Sequence, residues 1–165
     1  MAQRKITRLW VIVACGLALL PADAWSQQKS LKDRLIGTWN LVSVSEDYGG
    51  GKIEKSPFGP NVKGAFNFSP GGEVMFMMIG ADLPTPAAKP QESSRQVVAW
   101  FGKYSVDDAA NTVTYTAEKA TIPAFDGHPS TASITVSGDE FSQKSAPVNG
   151  PTGTFTPTLV FKRAN

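Results

Sequence analysis

The chain has almost no cysteine or histidine. Its 165 residues include one of each, Cys15 and His128. Cys15 lies in an apolar N-terminal run, so a chain that loses this run has no thiol, and disulfide bonds cannot stabilise it. A zinc site would have to take most of its ligands from carboxylates, which is uncommon. The composition therefore predicts no disulfide scaffold and no metal site, and no motif indicates a cofactor.

The N-terminal segment has the order of a bacterial secretory signal. Three basic residues precede the apolar run at residues 9–20, and "PADAWSQQ" then offers small residues to a peptidase. The run is shorter than the ~20 residues that span a bilayer. We therefore expect cleavage near Ser26 or Ala24 and a periplasmic or secreted protein without stable membrane insertion. Lipid attachment at Cys15 is not favoured, because Arg8 lies close before it and apolar residues continue after it.

The net charge is also low, and the excess of basic over acidic residues lies in the predicted signal. Without residues 1–26 the chain loses three basic residues and one acidic residue, which leaves 139 residues with 13 charges of each sign. A basic face that displaces counterions from nucleic acid is therefore not expected, and neither is a nucleic-acid partner. Residues 27–165 are enough for one domain with a sizeable core.

Helical patterns are scarce. The candidate is one short turn at Leu31–Leu35, with Ser30 as its N-terminal cap. After it the hydrophobic period becomes two, which is typical of a strand. This alternation places Trp39 and Leu41 on one face and Val44 on the opposite face.

The rest of the chain alternates between turns and short strands. Turns such as the glycine-rich "DYGGGK" and "SPGGE" and the polar "DDAAN" separate about eight strands in antiparallel order. Eight such strands can close into a barrel that holds one small ligand, although a β-sandwich has the same periodicity. The strand "EVMFMMIG" is apolar on both faces, so we expect one face to line the interior and the other to pack beneath a helix or loop.

Three blocks of sequence resemble a known family. They are "LIGTWNLVSV", "FGPNVKGAFNFSPGGEVMF" and "AWFGKYSVDDAANTVTYTAE", and with their connections they cover about residues 35–118. In this order they are similar to the bacterial and fungal lipocalin-like domain family. The resemblance implies an all-β fold, a single antiparallel barrel of about eight strands with an internal cavity, and no settled activity. Tyr115 and Thr116 stand where many relatives have histidine, so a role for that histidine does not carry over.

Large apolar side chains are the candidates for a ligand-binding lining. Aromatic and methionine side chains suit flat, apolar ligands, although close packing can also fill a small barrel completely. Gly37 and Trp39 are expected to form the barrel floor, with the indole N–H bonded to a nearby carbonyl. The residues expected to face inward and bind ligand are Phe66, Phe68, Phe76, Met78, Trp100, Tyr104 and Tyr115.

His128 is the main candidate for chemistry. Asp126 precedes it by two residues and would orient the imidazole as a general base, with Tyr104 or Tyr115 as the acid. Spacing within a loop fixes no geometry, so a solvated loop histidine is the favoured interpretation.

Three functions stay open. The favoured one is an exported protein that binds a small hydrophobic or aromatic molecule, with the loops "ADLPTPAAKP" and "PVNGPTG" at the barrel mouth. The alternatives are a barrel enzyme of isomerase or cyclase type that uses tyrosine and histidine, and a closed-core structural or interaction domain. An internal cavity would distinguish the first two from the third.

Overall fold

The computed structural model describes residues 29–55, 58–80, 97–150 and 153–165. The expected signal, with Cys15, and the loop "ADLPTPAAKP" lie outside these residues. Within the described ranges no helix has the length and hydropathy needed to cross a bilayer. The helix and strands are α1 (Leu31–Leu35), β1 (Gly37–Asp47), β2 (Ile53–Lys55), β3 (Lys63–Phe68), β4 (Glu73–Ile79), β5 (Val97–Asp107), β6 (Thr112–Ala120), β7 (Pro129–Ser137), β8 (Glu140–Ser145), β9 (Val148–Gly150) and β10 (Gly153–Arg163).

The sheet closes on itself. Each strand pairs antiparallel with the next in the order β1, β3, β4, β5, β6, β7, β8 and β10. The last strand, β10, then pairs with β1. Eight strands thus form a closed barrel, while β2 and β9 add to the edges of β1 and β10. Closure removes the exposed edges that an open sheet would present. The predicted all-β barrel is confirmed, and the sandwich alternative is excluded.

One end of the barrel is filled, and we call it the packed half. Its centre is a group of rings on the neighbouring strands β1, β10 and β8. Trp39 meets Phe141 edge-on at 4.9 Å, and Phe141 stacks on Phe161 at 4.5 Å between ring centroids. Aromatic side chains bury large areas and favour these arrangements. The buried residues of the packed half are Leu31, Leu35, Trp39, Leu41, Phe68, Val74, Tyr104, Val113, Phe141 and Phe161.

Helix α1 lies across the packed half. The Ser30 hydroxyl accepts a hydrogen bond from the Asp33 backbone N–H at 3.0 Å, which is the cap that the sequence predicts. The Asp108 carboxylate, in the turn between β5 and β6, accepts the Leu31 backbone N–H. Because Leu31 and Leu35 are buried, the short helix covers the end of the barrel.

Trp39 and Arg163 join α1 to the barrel. The Trp39 indole N–H donates to the Leu35 carbonyl at 2.7 Å. The Arg163 guanidinium lies 4.0 Å from the centroid of the Trp39 ring and donates to the carbonyls of Ile36 and Arg34 at 3.0 and 2.7 Å. A planar guanidinium can stack on a ring and hydrogen-bond at the same time, which an ammonium cannot do.

A β-bulge in β1 corrects one expectation. Leu41 pairs with Phe161, but Ser43 pairs with Val160, so β1 contains one extra residue at this point. Side chains alternate along a strand, and an extra residue reverses the alternation beyond it. Val44 is therefore buried on the same side as Trp39 and Leu41, and the prediction that it lies on the opposite face is wrong.

Two glycines of the family blocks lie where strands approach closely. A Cβ atom on Gly102 would lie 2.1 Å from the Thr116 carbonyl oxygen, and one on Gly64 would lie 2.5 Å from that of Met77. Neither position has room for a side chain. The glycines of the "FGKY" and "PNVKG" patterns are thus required because neighbouring strands leave no room for a Cβ atom.

The outer face of β4 is exposed. Met75 is 60% and Met77 49% exposed, and Phe101 on β5, opposite Met75, is 49% exposed. We expected a helix or loop to pack on this face, and none of the described residues covers it. Residues 81–96, which connect β4 to β5, lie outside the described part of the chain.

Candidate ligand-binding cavity

The other end of the barrel encloses a cavity of about 410 Å³, and we call this end the cavity half. The strands that form the packed half continue here, but their inward side chains leave space between them. The strand residues that line the wall are Val44, Glu46, Phe66, Phe76, Met78, Val98, Trp100, Tyr115, Ala117, Gln143, Ser145, Pro157 and Leu159. The rim includes Ile122, Ala124, Phe125 and His128 from the loop after β6, and Pro129 and Ser130 at the start of β7.

Phe66 forms the boundary between the two halves. Its ring contacts Phe161 of the packed half at 5.2 Å between centroids. It contacts Phe76 at 4.6 Å and both Trp100 and Tyr115 at 5.7 Å on the cavity side. The cavity therefore has an aromatic floor that is held from below by other rings.

Five of the seven predicted ligand residues line the cavity. They are Phe66, Phe76, Met78, Trp100 and Tyr115.

Phe68 and Tyr104 face inward as well, but they lie in the packed half. Their rings meet edge-on at 5.1 Å, and the Tyr104 hydroxyl donates to the Ser69 carbonyl at 2.7 Å. Alternation predicts which side chains face inward, whereas the size of their neighbours decides which of them border a void.

Tyr115 is bonded to a second polar residue of the wall. Its hydroxyl donates to the side-chain oxygen of Gln143 at 2.9 Å, and both groups are buried. Burial raises the pKa of Tyr115, because it disfavours the charged phenolate. Burial also raises the pKa of Tyr104. Both phenols are therefore neutral hydrogen-bonding groups near pH 7, and Tyr115 helps to orient the Gln143 amide.

Glu46 is a carboxylate in the cavity wall that the sequence did not reveal. It is 8% exposed, and the Tyr48 hydroxyl donates to its Oε2 atom at 2.8 Å. Simple alternation from Trp39 would have placed Glu46 outside the barrel. The β1 bulge turns it inward, and the sequence contains no clear signal for that bulge.

His128 lies on the rim, but Asp126 has other partners. The Asp126 carboxylate accepts hydrogen bonds from Lys119 and, at 2.8 Å, from the backbone N–H of Ala120. The hydrogen bond from Lys119 is the main reason that the pKa of Asp126 is lowered. In the described part of the chain Asp126 makes no hydrogen bond to His128, which is exposed. The structure therefore supplies no oriented imidazole for general base catalysis.

The loop after β6 is attached to the barrel where β6 has its own bulge. Phe101 pairs with Lys119 but Gly102 pairs with Ala117, which leaves Glu118 as the extra residue. The Gly127 N–H donates to the Ala117 carbonyl at 2.7 Å. This bond holds the rim residues of the loop over the cavity. Pro147 and Val148, from the predicted mouth segment "PVNGPTG", also line the cavity.

A second depression lies outside the barrel. It has a volume of about 550 Å³, and its lining includes the exposed side chains of Met75, Met77 and Phe101. It is more open than the internal cavity, and ligand sites are concave spaces that bury most of their ligand. The internal cavity is therefore the better candidate site.

Comparison with known proteins identifies the family. The model of the lipocalin-like domain matches residues 36–164. A search of curated proteins found no match.

Several solved structures show a general likeness. A redesigned β-barrel is 15% identical with a TM-score of 0.42, and the match covers 83% of this chain and all of that one. Zebrafish ileal bile acid-binding protein, complexed with cholic acid, is 13% identical with a TM-score of 0.37 and coverages of 79% and 99%. The siderocalin Ex-FABP is 10% identical with a TM-score of 0.34 and coverages of 79% and 71%.

Proposed function

This chain belongs to the lipocalin-like domain family, and we propose that it is an exported protein that binds a small, mainly apolar aromatic molecule inside its barrel. The observation that carries the proposal is the cavity of about 410 Å³ with its aromatic floor. Binding cavities for small molecules are commonly about 300–1,000 Å³ and lined mainly by apolar and aromatic side chains. Export is inferred from the N-terminal sequence.

The cavity wall suits a flat ligand. Phe66, Phe76 and Trp100 contact one another through their rings, so their positions are fixed before a ligand arrives. Burial of apolar ligand surface contributes about 25 cal/mol per Å². A wall that is already ordered lowers the entropy cost of binding.

The states of Tyr115, Asp126 and His128 are more consistent with a binding protein than with an acid–base enzyme. A general acid or base works best when its pKa lies near the working pH. Burial moves the pKa of Tyr115 upward, away from that range, and its hydroxyl is already bonded to Gln143. Asp126 is bonded to Lys119 and does not orient His128. These contacts favour a binding protein over an isomerase or cyclase.

The proposal is tested with N-phenyl-1-naphthylamine, a neutral apolar dye that fluoresces when bound. We expect saturable binding to the purified protein, with energy transfer from Trp100. Ala117→Leu places a larger side chain in the cavity and should weaken binding about tenfold or more. Ala99→Leu makes the same change on the outer face of β5 and serves as the matched control. Absence of saturable binding, or equal effects of both variants, would contradict the proposal.

Mass spectrometry tests export and the presence of a natural ligand. The protein purified from its native host is expected to lack residues 1–26, or residues 1–24, and to release an aromatic small molecule on denaturation. A full-length intact mass in the soluble fraction would contradict export.

A further inference from the structure

We propose that the ligand carries an amine or another strong hydrogen-bond donor, which the Glu46 carboxylate binds near the mouth of the barrel. This inference rests on the proposed function, since it assumes that the cavity takes a ligand, and it names the ligand's chemical class. The supporting observations are the direction of the Glu46 side chain, its incomplete bonding, and its position above the aromatic floor.

The β1 bulge directs Glu46 into the cavity. Two consecutive residues, Val42 and Ser43, are exposed at the bulge, and beyond it Val44 and Glu46 are both buried. Bulges commonly redirect a side chain toward a functional site. Without the extra residue, Glu46 would face solvent, where a carboxylate carries no desolvation cost.

Glu46 has an incomplete set of partners. Its one hydrogen bond within the described residues comes from the Tyr48 hydroxyl to Oε2, so Oε1 has no donor there. The ion pairs among the described residues join Lys103 to Glu73, Lys119 to Asp126 and Arg163 to Asp139, and none includes Glu46. Oε1 is not among the described buried side-chain atoms that lack a partner, so it is accessible and can accept a hydrogen bond from a ligand. A donor on the ligand would complete this set.

The strand register places Glu46 above the apolar part of the cavity. Glu46 pairs with Pro157, and Val44, two residues deeper, pairs with Leu159. Leu159 pairs in turn with Gln143, whose oxygen is bonded to Tyr115. Two residues of a strand span about 7 Å, roughly the length of one or two fused rings. A small aromatic amine could therefore lie on Phe66 and reach Glu46 with its nitrogen.

The test compares three probes that share one ring system. They are 1-naphthylmethylamine, 1-methylnaphthalene and 1-naphthoate, which are cationic, neutral and anionic near pH 7, and each displaces the dye from the purified protein. We expect the amine to bind about tenfold or more tightly than the neutral probe, because a hydrogen bond to a charged group is stronger than one between neutral groups. The naphthoate should bind most weakly.

Variants assign the preference to one carboxylate. Glu46→Gln should remove the advantage of the amine over the neutral probe. Glu54→Gln, on the exposed strand β2 opposite Glu46, is the matched control and should keep the preference.

The outcomes separate the two proposals. If the amine and the neutral probe bind the wild-type protein equally, the inference is wrong while binding in the cavity stands, and this comparison needs no variant. A preference that survives in Glu46→Gln also contradicts the inference. If neither the dye nor any probe binds, the proposed function itself fails.

Discussion

The two halves of the barrel share the same strands but differ in what fills them. In the packed half, Trp39, Phe161 and Phe141 bring large rings together from the neighbouring strands β1, β10 and β8. In the cavity half, the inward positions include the smaller residues Val44, Ala117 and Leu159, which border the cavity. The same eight strands form both halves, and the smaller inward side chains of the cavity half leave the void between them.

The two ends are also closed differently. Helix α1 covers the packed half, and Arg163 and Trp39 hold it through three hydrogen bonds to carbonyls. Loops surround the mouth of the cavity half, and the bond from Gly127 to Ala117 holds one of them. We infer that the packed half supplies most of the stability, while the cavity half supplies the binding site. The following predictions test that division.

The largest difference is expected between two leucines. Leu35→Ala removes a fully buried side chain from the packed half and should cost about 3–5 kcal/mol. Leu159→Ala enlarges an existing cavity and should cost about 1–2 kcal/mol, since the removed atoms have fewer neighbours. Urea denaturation measures both free energies of unfolding. Equal losses would show that the cavity half is packed as tightly as the other.

A second difference concerns added volume. Ala132→Leu inserts a side chain next to Val113, with which Ala132 pairs, and should destabilise the protein by about 1–3 kcal/mol. Ala117→Leu inserts the same side chain into the cavity and should change the free energy of unfolding by less than about 1 kcal/mol. Thermal and urea denaturation of the two variants test the contrast. A larger loss in Ala117→Leu would argue that the void is not available space.

Arg163 tests the closure of the packed half. Arg163→Lys keeps the charge but loses the stack on Trp39 and the paired bonds to Ile36 and Arg34, so we expect a loss of about 1–2 kcal/mol. Lys162→Ala, at the exposed neighbouring position, is the control and should have little effect. Dye binding should be unchanged in both variants. Weaker dye binding in Arg163→Lys would show that the two halves are coupled.

The smallest effect concerns the ion pair between Glu73 on β4 and Lys103 on β5. The Lys103 ammonium, 2.8 Å from Glu73, lowers the pKa of that carboxyl to about 2, mainly through a hydrogen bond. Because this pKa is depressed, any stability from the pair is present above the ordinary value of 4.5 and is lost as the pH falls toward 2. The pair is exposed, so its effect on folding is small. An NMR titration should show the Glu73 midpoint rising toward 4.5 in Lys103→Ala, and an unchanged midpoint would contradict this assignment.

Much of the fold followed from local patterns. Alternation and turn sequences predicted the strands and their antiparallel order, and the structure added the close approaches at Gly64 and Gly102. The barrel rests on β1 pairing with β10, a contact between distant parts of the chain that periodicity alone does not predict. Helix α1 was predictable because its cap at Ser30 is local.

The site was harder to predict than the fold. Alternation placed Phe66 and Phe76 in the interior, but it could not show that Phe68 and Tyr104 lie below the cavity. Glu46 was missed for a different reason. A bulge inserts one residue and requires no particular residue type. The local sequence therefore does not show which face of the sheet the side chains after the bulge occupy.

A crystal structure with N-phenyl-1-naphthylamine would test the central claim most directly. The account predicts dye inside the cavity half, with its rings against Phe66 and Trp100 and its outer end below Glu46. Dye bound on the outer face between Met75 and Phe101, with side chains filling the interior of the barrel, would contradict it.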